Sequence, residues 1–208
     1  MSFGKMKLGK QMDKANTIIS LHGFASDGNG NKPNTLREAF PEYEIISPTL
    51  SIEPNIALQE VVKLINENSN NKIYLVGSSL GGFYALFLSH IFNISCFLVN
   101  PSLKPWITLK SKIGMNKRFN TDEEFNFTEE YLSQLESMSS RIDYENILSQ
   151  HLNFFLAIDD ETLDHLNIEN EFRTARTIKY YQGVGHRFTK FKEYVIPEIR
   201  RIINEDNN

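Results

Sequence analysis

The sequence predicts an α/β protein with a minimal, mostly parallel sheet of about six strands and helices on both faces. Short, largely apolar runs alternate with stretches that have apolar residues at helical spacing, an order typical of parallel sheets. The predicted strands lie at residues 17–22, 43–47, 72–77, 95–100, 153–158 and 177–182. The third, fourth and fifth runs are apolar at their centres, which predicts interior strands. Glu44 and Lys179 interrupt the second and sixth runs, which predicts edge strands.

The segments between and after these strands predict the helices. Helical spacing of apolar residues is found at 56–68, 83–92 and 188–205. Within the last of these, Pro197 predicts a kink or the start of a second helix. Residues 101–149 have many charges and no convincing strand, and Thr128 can cap a helix there. We interpret 101–149 as a small helical lid over the carboxyl edge of the sheet, the alternative being an ordinary crossover helix with a long loop.

Composition restricts the number of domains and the class of function. The 208 residues include 22 basic and 26 acidic side chains, a formal net charge of −4. This length fits one domain over residues 1–208, with 1–15 as a flexible N-terminal tail. The mild acidity argues against a nucleic-acid partner. Cys96 is the single cysteine and the chain shows no signal-sequence pattern, so we expect a cytoplasmic protein that does not insert into membranes.

A tight turn between a predicted strand and a predicted helix has the motif G-x-S-x-G. It reads Gly77-Ser78-Ser79-Leu80-Gly81. In such a turn the residues that flank the nucleophile must be small, because the strand and the helix approach each other closely. The register therefore selects Ser79 as the nucleophile. The backbone N–H of Leu80, at the start of the helix, can stabilise an oxyanion.

A serine hydroxyl attacks an acyl group only when a base takes its proton and an acid orients that base. His186 follows the last predicted strand in a glycine-containing loop and is the predicted base. Asp160, just past the fifth strand, is the favoured acid, with Asp159 and Asp164 as alternatives. This acidic stretch lacks a second group of ligands, so we predict no metal site.

The loop after the first strand supplies the second oxyanion donor. Gly23 allows the chain to fold back over the site, so that the N–H of Phe24 can point inward. His22 is predicted to support this loop and to lie at the substrate, not to act as a base. Trp106 is the other predicted substrate contact, because aromatic residues of the 101–149 segment can line an apolar acyl pocket; simple packing on the sheet is the alternative.

Together these motifs resemble the small esterases of the α/β-hydrolase superfamily, specifically the YqiA/YcfP-like family. The similar segments are LHGF, VGSSLGGFYA, VNPSLKPW, DDETLD and GHRFTKFKEY, spread over residues 18–199. The resemblance implies an α/β-hydrolase fold and a triad of Ser79, Asp160 and His186. It also implies hydrolysis of carboxylic or thioester acyl groups without a cofactor.

We therefore predict a serine hydrolase that cleaves short to medium acyl esters or thioesters through an acyl-serine intermediate. Its partner would be a small-molecule substrate. Two alternatives use the same fold: a binding protein whose triad is incomplete in space, and an acyltransferase that uses the same serine. The sequence leaves the natural substrate and the oligomeric state open.

Overall fold

The computed structural model describes residues 16–144, 147–165 and 167–208. Its helices and strands, in chain order, are β1 (Asn16–Leu21), α1 (Asn31–Ala39), β2 (Glu44–Ile46), α2 (Pro54–Glu67), β3 (Lys72–Ser78), α3 (Leu80–Phe92), β4 (Cys96–Val99), α4 (Pro105–Thr108), β5 (Gly114–Lys117), β6 (Glu124–Phe127), α5 (Glu129–Ser139), β7 (Leu152–Ala157), α6 (Ile168–Glu171), β8 (Thr177–Tyr181) and α7 (Phe191–Asn207). Short 3₁₀ turns at Lys110–Lys112 and Ser149–His151 complete the regular structure of these ranges.

The six predicted strands form one sheet in the order β2-β1-β3-β4-β7-β8, and every neighbouring pair is parallel. The strands that contain Glu44 and Lys179 lie at its two edges, as predicted. Because all strands point the same way, the loops that follow β1, β3, β4, β7 and β8 meet at one edge. The predicted site residues belong to these loops.

Two hydrophobic clusters cover the two faces of the sheet. In β4, Cys96 and Leu98 belong to the cluster that contains α2, α3 and α5, while Phe97 and Val99 belong to the cluster that contains α1 and α7. Alternate side chains of a strand point to opposite faces, so a strand apolar at every position requires cover on both. The prediction of helices on both faces is confirmed.

Of the two alternatives predicted at Pro197, the start of a second helix is wrong, and the kink stays a prediction. α7 runs from Phe191 to Asn207 with Pro197 inside it, so no second helix begins at the proline. Pro197 lies on the exposed side of α7. Water can therefore hydrogen-bond the carbonyl group of Glu193, which the proline leaves without its N–H partner.

The segment 101–149 also differs from its prediction, because it contains two strands that the sequence analysis missed. β5 and β6 form an antiparallel hairpin in which Gly114 is paired with Phe127 and Lys117 with Glu124. α5 follows with Thr128 at its N-cap position, as predicted. Among the described residues, however, the buried Thr128 hydroxyl has no hydrogen-bond partner, so the expected capping bond is not made.

Some predictions fall partly or wholly on other residues. The tail at 1–15 and positions 145 and 146 of the 101–149 segment lie outside the described residues. Within the ranges that the structure describes, none of the helices combines the length and the apolar character needed to cross a bilayer. The cytoplasmic location stays a prediction.

Candidate active site

Ser79 occupies the turn between β3 and α3 in a strained backbone conformation. Its φ is 54° and its ψ is −120°, values that residues other than glycine adopt only when their surroundings impose them. The Ser79 N–H donates to the carbonyl oxygen of Val99 at 3.1 Å, and the Ser79 carbonyl oxygen accepts from the N–H of Ser102 at 3.0 Å. These bonds to the end of β4 and to the loop that follows it hold the turn in place.

The glycines of the motif are explained by close contact between backbones. A Cβ atom on Gly77 would overlap the carbonyl oxygen of Gly81, and a Cβ atom on Gly81 would overlap the carbonyl oxygen of Leu21. Neither obstacle is a flexible side chain that could move aside. The turn is therefore as crowded as the sequence motif predicts.

A continuous line of hydrogen-bonding groups joins Ser79, His186 and Asp160. His186 Nε2 lies 3.2 Å from Ser79 Oγ, and His186 Nδ1 lies 2.9 Å from Asp160 Oδ2 and 3.0 Å from Oδ1. The carboxylate favours the proton on Nδ1, which leaves the Nε2 lone pair facing the serine hydroxyl. The Asp160 side chain is 1% exposed and that of His186 is 20% exposed, so the carboxylate is sealed while the imidazole borders solvent.

Three successive carboxylates contact the loop that contains His186. Asp160 binds the imidazole, Asp159 Oδ1 accepts two backbone N–H groups of the loop at 3.1 and 3.3 Å, and Glu161 Oε2 accepts the His186 N–H at 2.9 Å. Asp164 is exposed. Of the three predicted acids, the geometry favours Asp160, because both of its carboxylate oxygens lie within hydrogen-bonding distance of the imidazole.

His165 also binds Asp160, which the sequence analysis did not predict. Its Nε2 lies 3.0 Å from Asp160 Oδ2, and its side chain is 3% exposed. Burial by itself would raise the pKa of the Asp160 carboxyl. Hydrogen bonds from His165, His186 and the N–H groups of Leu163 and Thr162 outweigh burial and lower that pKa well below its usual range. The carboxylate is therefore ionised and held in one orientation.

The loop after β1 lies directly beside the serine. A Cβ atom on Gly23 would be 3.2 Å from the Cβ of Ser79, close enough to require some adjustment. Phe24, the next residue, belongs to the same loop, and Leu80 follows Ser79 as the first residue of α3. N–H groups in the first turn of a helix have no partner within the helix. The oxyanion-binding role of the Phe24 and Leu80 N–H groups stays a prediction.

His22 uses both of its ring nitrogens within the protein. Nε2 accepts the N–H of Leu50 at 2.9 Å, and Nδ1 donates to the carbonyl oxygen of Gly23 at 2.8 Å. Burial lowers the pKa of His22, which favours the neutral ring that this pattern needs. Of the two roles predicted for His22, the geometry supports the structural one, since no ring nitrogen is left for a polar contact with a substrate.

Trp106 lies in α4, half-buried, with its ring edge-on to Phe83 at a centroid distance of 6.3 Å. Other aromatic rings of the 101–149 segment pack on Phe24: the centroid distances are 5.7 Å to Phe125 and 5.0 Å to Phe127. These contacts form an aromatic cluster around Phe24, the residue after Gly23. The substrate contact of Trp106 stays a prediction.

Asn100 is a second residue of this site that the sequence analysis missed. It is fully buried at the end of β4. Its Nδ2 donates to the carbonyl oxygens of Gly185 and His186, both at 3.0 Å, and its Oδ1 accepts the N–H of Ala157 at 2.7 Å. One side chain thus connects the end of β7 with the loop that contains the histidine. Its position at the end of an apolar strand was the signal that could have indicated it.

The parallel sheet, with a strand–serine–helix turn at its carboxyl edge, gives the chain the α/β-hydrolase fold. The crystal structure of the esterase domain from a Rhodothermus marinus protein matches this fold with a TM-score of 0.65 and 16% identity, covering 92% of this chain and 89% of that chain. A family model described as "Uncharacterised protein family (UPF0227)" matches residues 17–203, and the chain belongs to this family.

Two members of the family show how far the similarity extends. UPF0227 protein YE1706 of Yersinia enterocolitica is 26% identical over 191 residues, which cover 89% of this chain and 96% of that protein. UPF0227 protein YcfP of Escherichia coli is 31% identical over 107 residues, which cover 49% of this chain and 59% of YcfP. The predicted resemblance to YcfP-like members of the α/β-hydrolase superfamily is confirmed.

Proposed function

We propose that the protein is a serine hydrolase of the esterase or thioesterase type. Ser79 attacks the acyl carbonyl carbon while His186 takes the hydroxyl proton and Asp160 orients the imidazole. The N–H groups of Phe24 and Leu80 stabilise the oxyanion. His186 then gives its proton to the leaving alcohol or thiol, and a water molecule, activated in the same way, releases the acid. The main support is the line of contacts at 3.2 and 2.9 Å.

Two features favour this proposal over a non-catalytic binding protein. The binding hypothesis requires a triad that is incomplete in space, whereas the contacts of His186 with Ser79 and Asp160 are continuous. The positive φ of Ser79 has a cost that a turn without chemistry could avoid by using glycine. The fold that the chain shares with the R. marinus esterase domain is compatible with the proposal.

The first test is covalent labelling. A fluorophosphonate should modify Ser79 and no other serine, as read by mass spectrometry of a digest, because the probe requires an activated hydroxyl. Ser79→Ala and His186→Ala should abolish labelling, while His90→Ala, a change in α3 away from this line, should not. If the folded wild-type protein stays unlabelled, the proposed function is wrong.

The second test concerns the substrate, for which we propose short to medium acyl esters or thioesters. In a series of p-nitrophenyl esters, each methylene added to acetyl should raise kcat/KM about two- to fourfold until the proposed acyl pocket is filled. Trp106→Ala should weaken this dependence. Ile91→Ala is the control, since Ile91 is exposed near the C-terminal end of α3, whereas Ser79 precedes the first residue of that helix. If kcat/KM does not depend on the length of the acyl chain, the proposed acyl pocket is wrong.

Product analysis with an added alcohol acceptor would reveal an acyltransferase.

A further inference from the structure

The turn between β5 and β6 is hydrogen-bonded to the loop at residues 22–27, which we call the oxyanion loop. Arg118 Nη1 donates to the carbonyl oxygen of Ser26 at 2.6 Å. The N–H of Phe119 donates to the carbonyl oxygen of Ala25 at 2.9 Å. Two neighbouring residues of the turn therefore hold two neighbouring peptide groups of the loop.

Arg118 is a buried cation with its donors directed at three parts of the chain. Its side chain is 5% exposed, its Nε donates to Glu123 at 2.7 Å, and its Nη2 donates to the carbonyl oxygen of Leu50 at 2.9 Å. Leu50 also donates its N–H to His22, which in turn binds Gly23. The planar guanidinium can join these separated acceptors in a fixed geometry, which an ammonium group cannot do. Leu50 thus links Arg118 to His22, the first residue of the oxyanion loop.

The oxyanion loop has a backbone conformation that needs such support. Ala25 has a φ of 58°, in the left-handed region that alanine rarely adopts. The ring of Phe24 packs edge-on against Phe125 and Phe127 of β6. The hairpin therefore contacts the loop in two ways: its aromatic side chains pack on the Phe24 ring, and its turn binds the next two residues.

We propose that Arg118 is a positioning residue that fixes the oxyanion loop so that the N–H of Phe24 points at the oxyanion formed on the acyl group at Ser79. This inference rests on the proposed function. An oxyanion donor lowers the barrier only when it is already aimed at the place where charge develops. The hairpin of the 101–149 segment is then a fixed clamp on the catalytic loop and not a cover that opens.

Kinetics of Arg118 variants test the proposal. Arg118→Ala should lower kcat roughly 10- to 100-fold and change KM less than about threefold. A misaligned N–H donor stabilises the transition state less, while it contributes little to binding of the substrate in the ground state. Arg118→Lys keeps the charge and should lose part of this activity. Millimolar guanidinium should partly restore Arg118→Ala. The matched control is Lys117→Ala, which removes an exposed ion pair with Asp122 in the same hairpin and should change neither constant.

Two further measurements separate positioning from general damage. Binding of a trifluoromethyl ketone, which forms an oxyanion on the serine, should weaken by the same factor as kcat. Hydrogen exchange at residues 22–27 should be faster in Arg118→Ala and unchanged in Lys117→Ala. The proposal is overturned if Arg118→Lys and Arg118→Ala keep the wild-type kcat. It is also overturned if the loss of activity equals the loss of folded protein, or if hydrogen exchange at residues 22–27 is the same in Arg118→Ala as in the wild type. An inactive, unlabelled wild-type protein would instead contradict the proposed function, while the exchange result would still decide whether Arg118 holds the loop.

Discussion

Replacing Ser79 with alanine should lower kcat by a thousand-fold or more, because no other group can form the acyl intermediate. KM should change little, since the hydroxyl contributes mainly to the transition state. Steady-state kinetics with a p-nitrophenyl ester measure both constants, and active-site titration must show that no wild-type protein contaminates the sample. Activity within tenfold of the wild type would exclude Ser79 as the nucleophile.

A glycine at position 79 distinguishes the loss of the nucleophile from a change in the stability of the fold. Ser79→Gly should be as inactive as Ser79→Ala but about 1 kcal/mol more stable, because glycine tolerates the positive φ that serine and alanine do not. Urea denaturation of the two variants gives the difference in free energy of unfolding. Equal stability would show that the turn stores no strain.

Replacing Asp160 with asparagine should lower kcat roughly a thousand- to ten-thousand-fold, the second-largest expected effect on activity. An amide cannot stabilise the imidazolium, and its NH₂ group favours the wrong tautomer of His186. Asp159→Asn is the matched control: Asn keeps an oxygen that can accept the two backbone N–H groups of the loop, so kcat should fall less than about tenfold. A larger loss in Asp159→Asn than in Asp160→Asn would reverse the assignment of the acid.

The same substitution should change stability in acid. Folding lowers the pKa of Asp160, so below the ordinary carboxyl pKa the unfolded chain binds more protons than the native protein. The stabilisation is fully present above the ordinary value of about 3.9 and is lost as the pH falls below it. Asp160→Asn should therefore be less stable than the wild type at pH 7, and its stability should depend less on pH between about 4 and 2.

The sheet and the central residues of the site could be predicted because their signals are local. The third, fourth and fifth predicted strands are apolar at their centres, and the charges of Glu44 and Lys179 mark the edges. Ser79, Asp160 and His186 each follow a strand, and parallel strands bring such positions to one edge. The order of elements therefore predicted that the serine, the histidine and a carboxylate after the fifth strand would meet, while the choice among Asp159, Asp160 and Asp164 stayed open.

The missed features depend on contacts between residues far apart in the sequence. β5 has the sequence Gly-Met-Asn-Lys, which has little strand propensity, and the next residue, Arg118, bonds to groups 68 and 92 positions away. His165 gains its partner only when the loop after β7 turns back on Asp160. None of these circumstances has a periodic pattern that could be recognised in advance.

Asn100 has a consequence for how the site responds to thermal motion. Its amide joins the strand that leads to the acid with the loop that contains the base. If the outer part of the sheet flexes, carboxylate and imidazole are displaced together and their separation is preserved. Ser79 is hydrogen-bonded to Val99, the residue before Asn100, so the hydroxyl is attached to the same end of β4 as the acid and the base.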